Sequence, residues 1–331
     1  MEKRILVPLD GSALAEMSVP HAVSLAHATS GTLTLLWVVA PAPVTLGVPM
    51  DGSFPASPAL MEAREREPRV AREYLNRFVE RLHVAEGLNV ETIVQEGDPA
   101  SMIVQYAEQN PSVKLIAMAT HGRKGVSCWV FGSVAEKVLH ASPVPLLLVR
   151  QELHASIEAS TSHYTRILVP LDGSTFAENA LEHATALAAT LRATLILFTV
   201  LPNQYDRVMT NKGGVGEWEW VAAPWAREAE WATSYLEDVA QNIAGAGILV
   251  ETKISFGDPV EEILRMETEA AADMIVMSTH GRSGVQRLWL GSVAMKVVGS
   301  TTRPVLLVRA KERTEVPELQ PSAASRSLQV C

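Results

Sequence analysis

The chain has 331 residues, of which 47% are hydrophobic and 20% charged, and its length and apolar content predict two domains with sizeable cores. A formal net charge of −9 at pH 7 gives no overall attraction to nucleic acid or to anionic lipid, so neither is expected as a partner. Because two cysteines cannot build a disulfide framework and no stretch of about 18 apolar residues occurs, we expect a cytoplasmic protein without a membrane span.

A nine-residue stretch at the start of the chain occurs twice. The letters RILVPLDGS run from Arg4 to Ser12 and again from Arg166 to Ser174. Later pairs keep the same order and nearly the same spacing: EGDPA with FGDPV, THGRKGV with THGRSGV, GSVA with GSVA, and LLVR with LLVR. The repeat predicts one domain over 1–150 and a second over 166–310, with a polar linker at 151–165 and a disordered tail at 311–331.

Within each half, short apolar runs rich in branched side chains alternate with segments of helical periodicity. Continuous apolarity is typical of strands covered on both faces, and it predicts strands at 5–9, 33–39, 90–94, 115–119 and 144–149, then at 167–171, 195–200, 250–255, 274–277 and 305–308. Helices are predicted between them, among others at 13–29 and 59–86. This alternation predicts an α/β fold with two tandem doubly wound parallel sheets of five strands, and ligands are expected at the carboxyl ends of the strands.

The first strand of each half ends in Pro-Leu-Asp and is followed by Gly-Ser. This order predicts a tight turn into a helix that Ser12, or Ser174 in the second half, caps. Two roles stay open for Asp10 and Asp172. Each carboxylate can cap the helix, or it can accept hydrogen bonds from ribose hydroxyls or an exocyclic amine.

The fourth strand of each half is followed by a glycine-rich loop that ends in Gly-Ser at the start of a helix. Glycines allow close approach of the backbone, and successive amides together with a helix N-terminus favour phosphate oxygens. Arg123 and Arg282 in these loops can neutralise phosphate charge. A plain glycine-rich turn with a serine N-cap explains the same letters. His121 and His280 have two open roles, in proton transfer or in orienting the loop.

At these residues the chain resembles the universal stress protein family in its tandem two-domain form. The nucleotide-binding branch of that family carries Gly, two residues, Gly, nine residues, Gly and then Ser or Thr around the phosphates of ATP. The second and third glycines and the serine are present twice, at Gly122, Gly132 and Ser133 and at Gly281, Gly291 and Ser292. The first glycine is replaced by Ala119 in one half and by Ser278 in the other.

The resemblance implies adenosine contacts at the end of the first strand, adenine contacts near the end of the second strand, and phosphate contacts in the later loop. The residues that it implies are, in the first half, Pro8, Leu9, Asp10, Val38, Ala119, His121, Gly122, Arg123, Gly125, Gly132, Ser133 and Val134. In the second half they are Pro170, Leu171, Asp172, Thr199, Ser278, His280, Gly281, Arg282, Gly284, Gly291, Ser292 and Val293. No residue is assigned a catalytic role.

The resemblance also implies the strand order 3-2-1-4-5, a Rossmann-like sheet, pairing through the fifth strand and a homodimer. ATP, or else ADP or AMP, is the implied ligand, with Mg²⁺ carried on the phosphates. We therefore expect an ATP-binding regulator of the stress response with an unidentified protein partner. The alternatives are an interaction protein that has lost nucleotide affinity and a slow ATPase; no Walker loop, GxSxG or HExxH motif supports other chemistry.

Two further patterns carry smaller predictions. Asp98 and Asp258 each stand between a glycine and a proline, which predicts helix N-caps with proline in the first turn. Four of the seven tryptophans lie between Trp218 and Trp231. They predict packing of a long helix against the sheet, with a lid or a partner surface as the alternative.

Overall fold

A computed structural model describes residues 3–40, 58–82, 87–120, 132–150, 163–202, 223–245, 247–279 and 291–309, with the backbone alone for 58–65 and 223–225. The strands are β1 (Arg4–Leu9), β2 (Thr32–Val39), β3 (Asn89–Glu96), β4 (Val113–Thr120), β5 (Leu146–Arg150), β6 (Arg166–Pro170), β7 (Thr194–Leu201), β8 (Val250–Phe256), β9 (Met274–Ser278) and β10 (Val305–Val308). The helices are α1 (Ala13–Glu16), α2 (Val19–Ala28), α3 (Pro58–Leu82), α4 (Pro99–Gln109), α5 (Ser133–Ala141), α6 (Thr175–Leu191), α7 (Ala223–Ala244), α8 (Pro259–Glu269) and α9 (Ser292–Ser300). None of these helices is long and apolar enough to cross a membrane.

The ten strands form one sheet in the order β3-β2-β1-β4-β5-β10-β9-β6-β7-β8. Within each half the strands pair in parallel, and each half has the order 3-2-1-4-5 that the family resemblance implies. The halves meet through β5 and β10, which pair antiparallel with Val305 opposite Leu148. The predicted fold class is confirmed, and the two five-stranded sheets are continuous with each other.

Helices cover both faces of this sheet, which explains the continuous apolar runs of inner strands such as β1, β5 and β10, whereas the edge strands β3 and β8 also carry polar residues. Alternate residues of β1 point to opposite faces, so Val7 joins a core under α2, α3, α6 and α7 while Leu6 joins the core under α4, α5, α8 and α9. Both side chains are fully buried. Each core contains residues from both halves, so the two repeats share their hydrophobic interior.

The predicted helix over 13–29 is wrong as one element, because the first half divides it into α1 and α2. Pro20 lies in the first turn of α2 and has no backbone N–H to donate to the carbonyl of Glu16. The second half has Glu182 at the position equivalent to Pro20, and there α6 runs without a break over 17 residues. The predicted N-caps are confirmed. Asp98 accepts a hydrogen bond from the amide of Ser101 at the start of α4, and Asp258 accepts one from the amide of Val260 at the start of α8.

The two halves are also joined by polar contacts at the centre of the molecule. Nη1 of Arg150, at the end of β5, donates to the carbonyl oxygen of Gly299 at 2.8 Å and so binds the C-terminal end of α9. On the other face the hydroxyl of Tyr164, just before β6, lies 2.6 Å from Nδ1 of His21 in α2. Burial lowers the pKa of His21 to about 4, so this imidazole is neutral at pH 7.

Candidate functional site

The repeated Asp-Gly-Ser turns lie at the carboxyl edge of the sheet, directly after β1 and β6. In the first turn Oδ1 of Asp10 accepts hydrogen bonds from the amide and the hydroxyl of Ser12, at 2.9 and 2.6 Å. The Ser12 hydroxyl oxygen in turn accepts from the amide of Ala15 at 3.1 Å and caps α1. Gly11 between them has φ +79°, a conformation that glycine adopts at little cost.

The second turn repeats these contacts closely. Oδ1 of Asp172 accepts from the amide and the hydroxyl of Ser174 at 3.0 and 2.6 Å, and Ser174 caps α6 through the amide of Ala177 at 3.2 Å. The aspartate is therefore not the cap itself: it holds the capping serine in place. The nucleoside contact expected of Asp10 and Asp172, and of the Pro-Leu pairs before them, stays a prediction.

The helices that follow the glycine-rich loops begin with an N-terminus that no side chain of the N-cap residue covers. Gly132 is the N-cap of α5 and Gly291 is the N-cap of α9, and glycine has no side chain with which to bond the first amides. The alternative of a serine N-cap is wrong at these two helices, because Ser133 and Ser292 are the first residues inside them. Val134 and Val293 follow in the same first turn and pack against the core of that face.

The start of α9 lies against the end of the neighbouring strand. The amide of Gly291 donates to the carbonyl oxygen of Thr279 at 2.6 Å, which brings the N-terminus of α9 to the carboxyl end of β9. Ala119 and Ser278, which stand in place of the first glycine of the family motif, lie at the carboxyl ends of β4 and β9. Ser278 is buried. The other predicted loop residues lie outside the described residues: His121, Gly122, Arg123, Gly125, His280, Gly281, Arg282 and Gly284.

The resemblance gives Val38 and Thr199 the same role, but the strand register does not. Leu9 pairs with Trp37, and Pro170 pairs with Phe198 just before Thr199, so the equivalent of Thr199 is Trp37. Val38 therefore corresponds to Val200, and these two valines pack on the core of the α4 and α8 face. Thr199 points to the other face, is buried, and donates its hydroxyl to the carbonyl oxygen of Leu171 at 3.0 Å. Thr199 and Val38 are therefore not equivalent positions, and the adenine contact expected of each stays a prediction.

Trp37 makes the first turn different from the second. Its indole lies against Gly11: a Cβ atom at that glycine would meet Cη2 of Trp37 at 2.8 Å. The indole also packs edge-on to Tyr74 with ring centroids 5.0 Å apart, and Tyr74 stacks on Phe78 at 5.8 Å. The hydroxyl of Tyr74 donates to buried Glu16, and burial together with this contact raises the pKa of Tyr74 far above its ordinary value. An aromatic cluster therefore closes one side of the β1 turn.

In the second half the corresponding tyrosine has a different aromatic neighbour. Tyr235 donates to Glu178 at 3.0 Å, as Tyr74 does to Glu16, but it stacks on Trp231 with ring centroids 5.5 Å apart. Trp231 is 44% exposed, so the predicted packing against the sheet is wrong for this tryptophan. The side chains of Trp218, Trp220 and Trp225 lie outside the described residues.

Comparisons with known proteins agree on one family. A statistical model described as the universal stress protein family matches residues 1–150 and 163–309. A universal stress protein of Mycolicibacterium smegmatis is 26% identical over 319 residues, which cover 94% of this chain and 98% of the relative. One from Methanocaldococcus jannaschii is 28% identical over 161 residues, 49% of this chain and 91% of the relative. The crystal structure of a universal stress protein from Archaeoglobus fulgidus is similar in fold, with a TM-score of 0.65 at 23% identity over 92% of this chain and 98% of its own.

Proposed function

The chain belongs to the universal stress protein family, and we propose that it binds ATP, or ADP or AMP, at one or both of its halves and acts as a nucleotide-dependent regulator of the stress response. Occupancy of the sites would bias its conformation or its choice of a protein partner. We assign no catalytic residue; the proposal allows slow ATP hydrolysis at most.

One observation carries the proposal. In each half a helix with a glycine N-cap, α5 or α9, begins after the fourth strand of that half, near the edge where the Asp-Gly-Ser turn follows the first strand. The free amides of such a helix start carry partial positive charge and point toward the place where an anion binds. The hydroxyls of Ser133 and Ser292 supply a further donor to a phosphate. Two copies of this arrangement fit a ligand with a phosphate chain at one end.

The other end of the ligand would be held at the first strand. Oδ1 of Asp10 and of Asp172 accepts hydrogen bonds within its turn, and we propose that each carboxylate also accepts from a ribose hydroxyl, because a carboxylate can accept several hydrogen bonds. Within the described ranges no group of three or more His, Cys, Asp or Glu side chains could hold a metal ion. We propose that Mg²⁺ rides on the phosphates, where it would neutralise part of their charge.

The proposal includes the expected organisation of the chain. The two nucleotide-binding units are 1–150 and 166–310, the segment 151–165 links them, and 311–331 forms a tail. We propose a cytoplasmic homodimer that binds an unidentified protein partner, with neither nucleic acid nor membrane among its ligands.

A second candidate function is an interaction protein that binds no nucleotide. Two observations favour it: Ala119 and Ser278 replace the first family glycine, and Oδ1 of each turn aspartate already serves the capping serine. On this reading the repeated letters only build turns and helix starts.

Substitutions at the two N-cap glycines separate these functions. Aspartate is a favourable N-cap, and the φ of −60° at Gly132 and −62° at Gly291 suits any residue, so Gly132→Asp and Gly291→Asp should keep or raise the melting temperature. The added carboxylate repels a triphosphate, so each variant should weaken ATP binding in calorimetric titration by about tenfold or more at its own half.

Asparagine is the matched control, since it caps as well as aspartate and carries no charge. Gly132→Asn and Gly291→Asn should bind ATP more tightly than the aspartate variants. Equal ATP affinity in all four variants and in the unmodified chain would place the nucleotide elsewhere, and no ATP binding in any of them would favour the interaction protein.

A further inference from the structure

The strand next to Val38 carries a polar side chain at the same edge of the sheet. Val38 in β2 pairs with Gln95 in β3, and parallel neighbours lie about 5 Å apart. Ile93, two residues before Gln95, packs on the same core as Val38, so strand alternation turns Gln95 to that face too. Gln95 therefore adjoins Val38, where the family resemblance places a contact with the adenine ring.

The side-chain oxygen of Gln95 lacks a hydrogen-bond donor within the described part of the chain. This Oε1 atom is buried. A buried acceptor without a donor is unfavourable. In native proteins such a group indicates a bound ligand or water, or local strain. The residue as a whole is only partly buried, and the terminal torsion of glutamine is soft, so the carboxamide can turn toward the edge.

The second half has no equivalent group. Val200 pairs with Ser255, which makes Ser255 the counterpart of Gln95. The Ser255 hydroxyl donates to Glu262 and accepts from Nη2 of Arg265 at 2.8 Å. Arg265 holds the pKa of Glu262 below its ordinary value. Ser255 is therefore bound within a network of charged side chains, whereas Oε1 of Gln95 has no partner among the described residues.

We infer that Gln95 reads the base in the first half by accepting a hydrogen bond from the 6-amino group of adenine, and that the second half lacks this contact. A glutamine amide pairs well with adenine because its oxygen accepts from the amine while its nitrogen donates to a ring nitrogen. The inference rests on the proposed function. It adds that the two sites differ in base selectivity, with the first half the more selective for a 6-aminopurine.

The test compares two ligands that differ in one group. Purine ribonucleoside 5′-triphosphate is ATP with hydrogen in place of the 6-amino group, so the ratio of its Kd to that of ATP reports the amine contact. In the full chain with Gly291→Asp, where the second site is weakened, we expect ATP to bind about tenfold more tightly than the purine analogue. Adding Gln95→Leu should lower this ratio to about two, mostly by weakening ATP.

Two further variants guard against a trivial loss of structure. Gln95→Ser introduces the residue of the second half and should lower the ratio as Gln95→Leu does. Ser255→Ala, in the same Gly291→Asp chain, should leave the ratio near ten. Thermal melting of each variant shows whether the fold is kept.

The outcomes are distinct. ATP binding with the ratio unchanged in both Gln95 variants would overturn the role of Gln95 and leave the proposed function standing. The same would follow if Ser255→Ala lowered the ratio as much as the Gln95 variants. If neither triphosphate binds the unmodified chain, the proposed function fails, and the role of Gln95 fails with it.

Discussion

In the first half an indole packs over the Asp-Gly-Ser turn, and in the second half a threonine stands at the same register position. Trp37 contacts Gly11, whereas Thr199 turns its hydroxyl to the carbonyl oxygen of Leu171. The turns themselves agree: Asp10 and Asp172 make the same two hydrogen bonds, with distances that differ by 0.1 Å or less. The halves thus share their backbone geometry and differ in the side chains around it.

This difference teaches which repeated letters are required for folding. Each residue of the Asp-Gly-Ser turn has a structural role in the turn or the helix cap. The repetition of these residues alone therefore does not demonstrate a ligand. The positions where the halves diverge, such as Gln95 and Ser255, are where their ligand preferences can differ.

The largest expected effect concerns a buried helix position that holds alanine in the first half and glutamate in the second. Counted from the caps Asp98 and Asp258, Ala107 in α4 is equivalent to Glu267 in α8, and both are buried. Glu267 accepts from the hydroxyl of Thr301 at 2.6 Å. At the position equivalent to Thr301 the first half has Ser142. Ala107→Glu would therefore bury a charge without the partner that Glu267 has. We expect it to lower the free energy of unfolding by about 4 kcal/mol.

Urea denaturation measures this loss, and two variants sharpen it. Glu267→Ala should cost only about 1 kcal/mol, because an apolar residue replaces the acid and the losses are one hydrogen bond from Thr301 and a long, half-exposed ion pair with Arg303. Ala107→Gln keeps the size without the charge and should lie between them. Equal losses for Ala107→Glu and Glu267→Ala would show that the two helices tolerate the acid alike.

The next effect is the pH dependence of His21. Its pKa is about 4 in the folded chain against an ordinary value of 6.5, so the unfolded chain takes up a proton first as the pH falls. The stability that neutral His21 contributes is present above pH 6.5 and is lost between pH 6.5 and 4, up to about 3 kcal/mol. Urea denaturation from pH 7 to 4.5 should show this fall in the unmodified chain.

His21→Leu should remove that part of the pH dependence. Since burial and not the hydrogen bond lowers the pKa, Tyr164→Phe should keep the pH dependence while lowering stability by about 1 kcal/mol at every pH. A His21→Leu chain with an unchanged slope would show that other groups cause the acid loss.

A smaller effect separates the two turns. Gly11→Ala should cost about 2 kcal/mol, because φ is +79° and the new Cβ meets the indole of Trp37. Gly173 has the same φ, but the smaller Thr199 stands at the register position equivalent to Trp37. Gly173→Ala should therefore lower the free energy of unfolding by about 1 kcal/mol. Thermal melting of Gly11→Ala combined with Trp37→Thr should bring the two costs together; a persistent gap would mean that the indole is not its cause.

The smallest effect should be equal in the two halves. Asp10→Ala and Asp172→Ala each remove an acceptor for the capping serine and should each lower stability by about 1 kcal/mol. Asparagine has an oxygen in the same place, so Asp10→Asn and Asp172→Asn should recover most of this loss in thermal melting. Alanine variants as stable as the original chain would show that the serines cap without help.

The strands could be predicted from the sequence because burial on both faces leaves an apolar run, and Ile5 to Leu9 is such a run. The break between α1 and α2 was missed because the helical periodicity of 13–29 outweighed Pro20, whose missing N–H decides the matter. The family resemblance implied pairing through the fifth strand, but not that the two fifth strands of this chain would pair with each other. The antiparallel pairing of Leu148 with Val305 leaves no mark in either strand's own letters.

The candidate site was predicted less completely. The Asp-Gly-Ser turns and the glycines before α5 and α9 stand out because they repeat. Gln95 and Trp37 do not repeat, so the letters shared by the two halves do not identify them. Register could have been read by aligning 32–39 with 194–201 from their common Thr-Leu start, which would have matched Thr199 with Trp37 and Val38 with Val200.

Nucleotide released from freshly purified, denatured protein, counted by mass spectrometry and absorbance and followed by titration with ATP and magnesium, tests the central claim most directly. We predict about one or two adenine nucleotides per chain, or one or two binding events when the stripped protein is titrated. No released nucleotide and no binding heat at millimolar ATP would contradict the claim and leave the paired turns as helix caps alone.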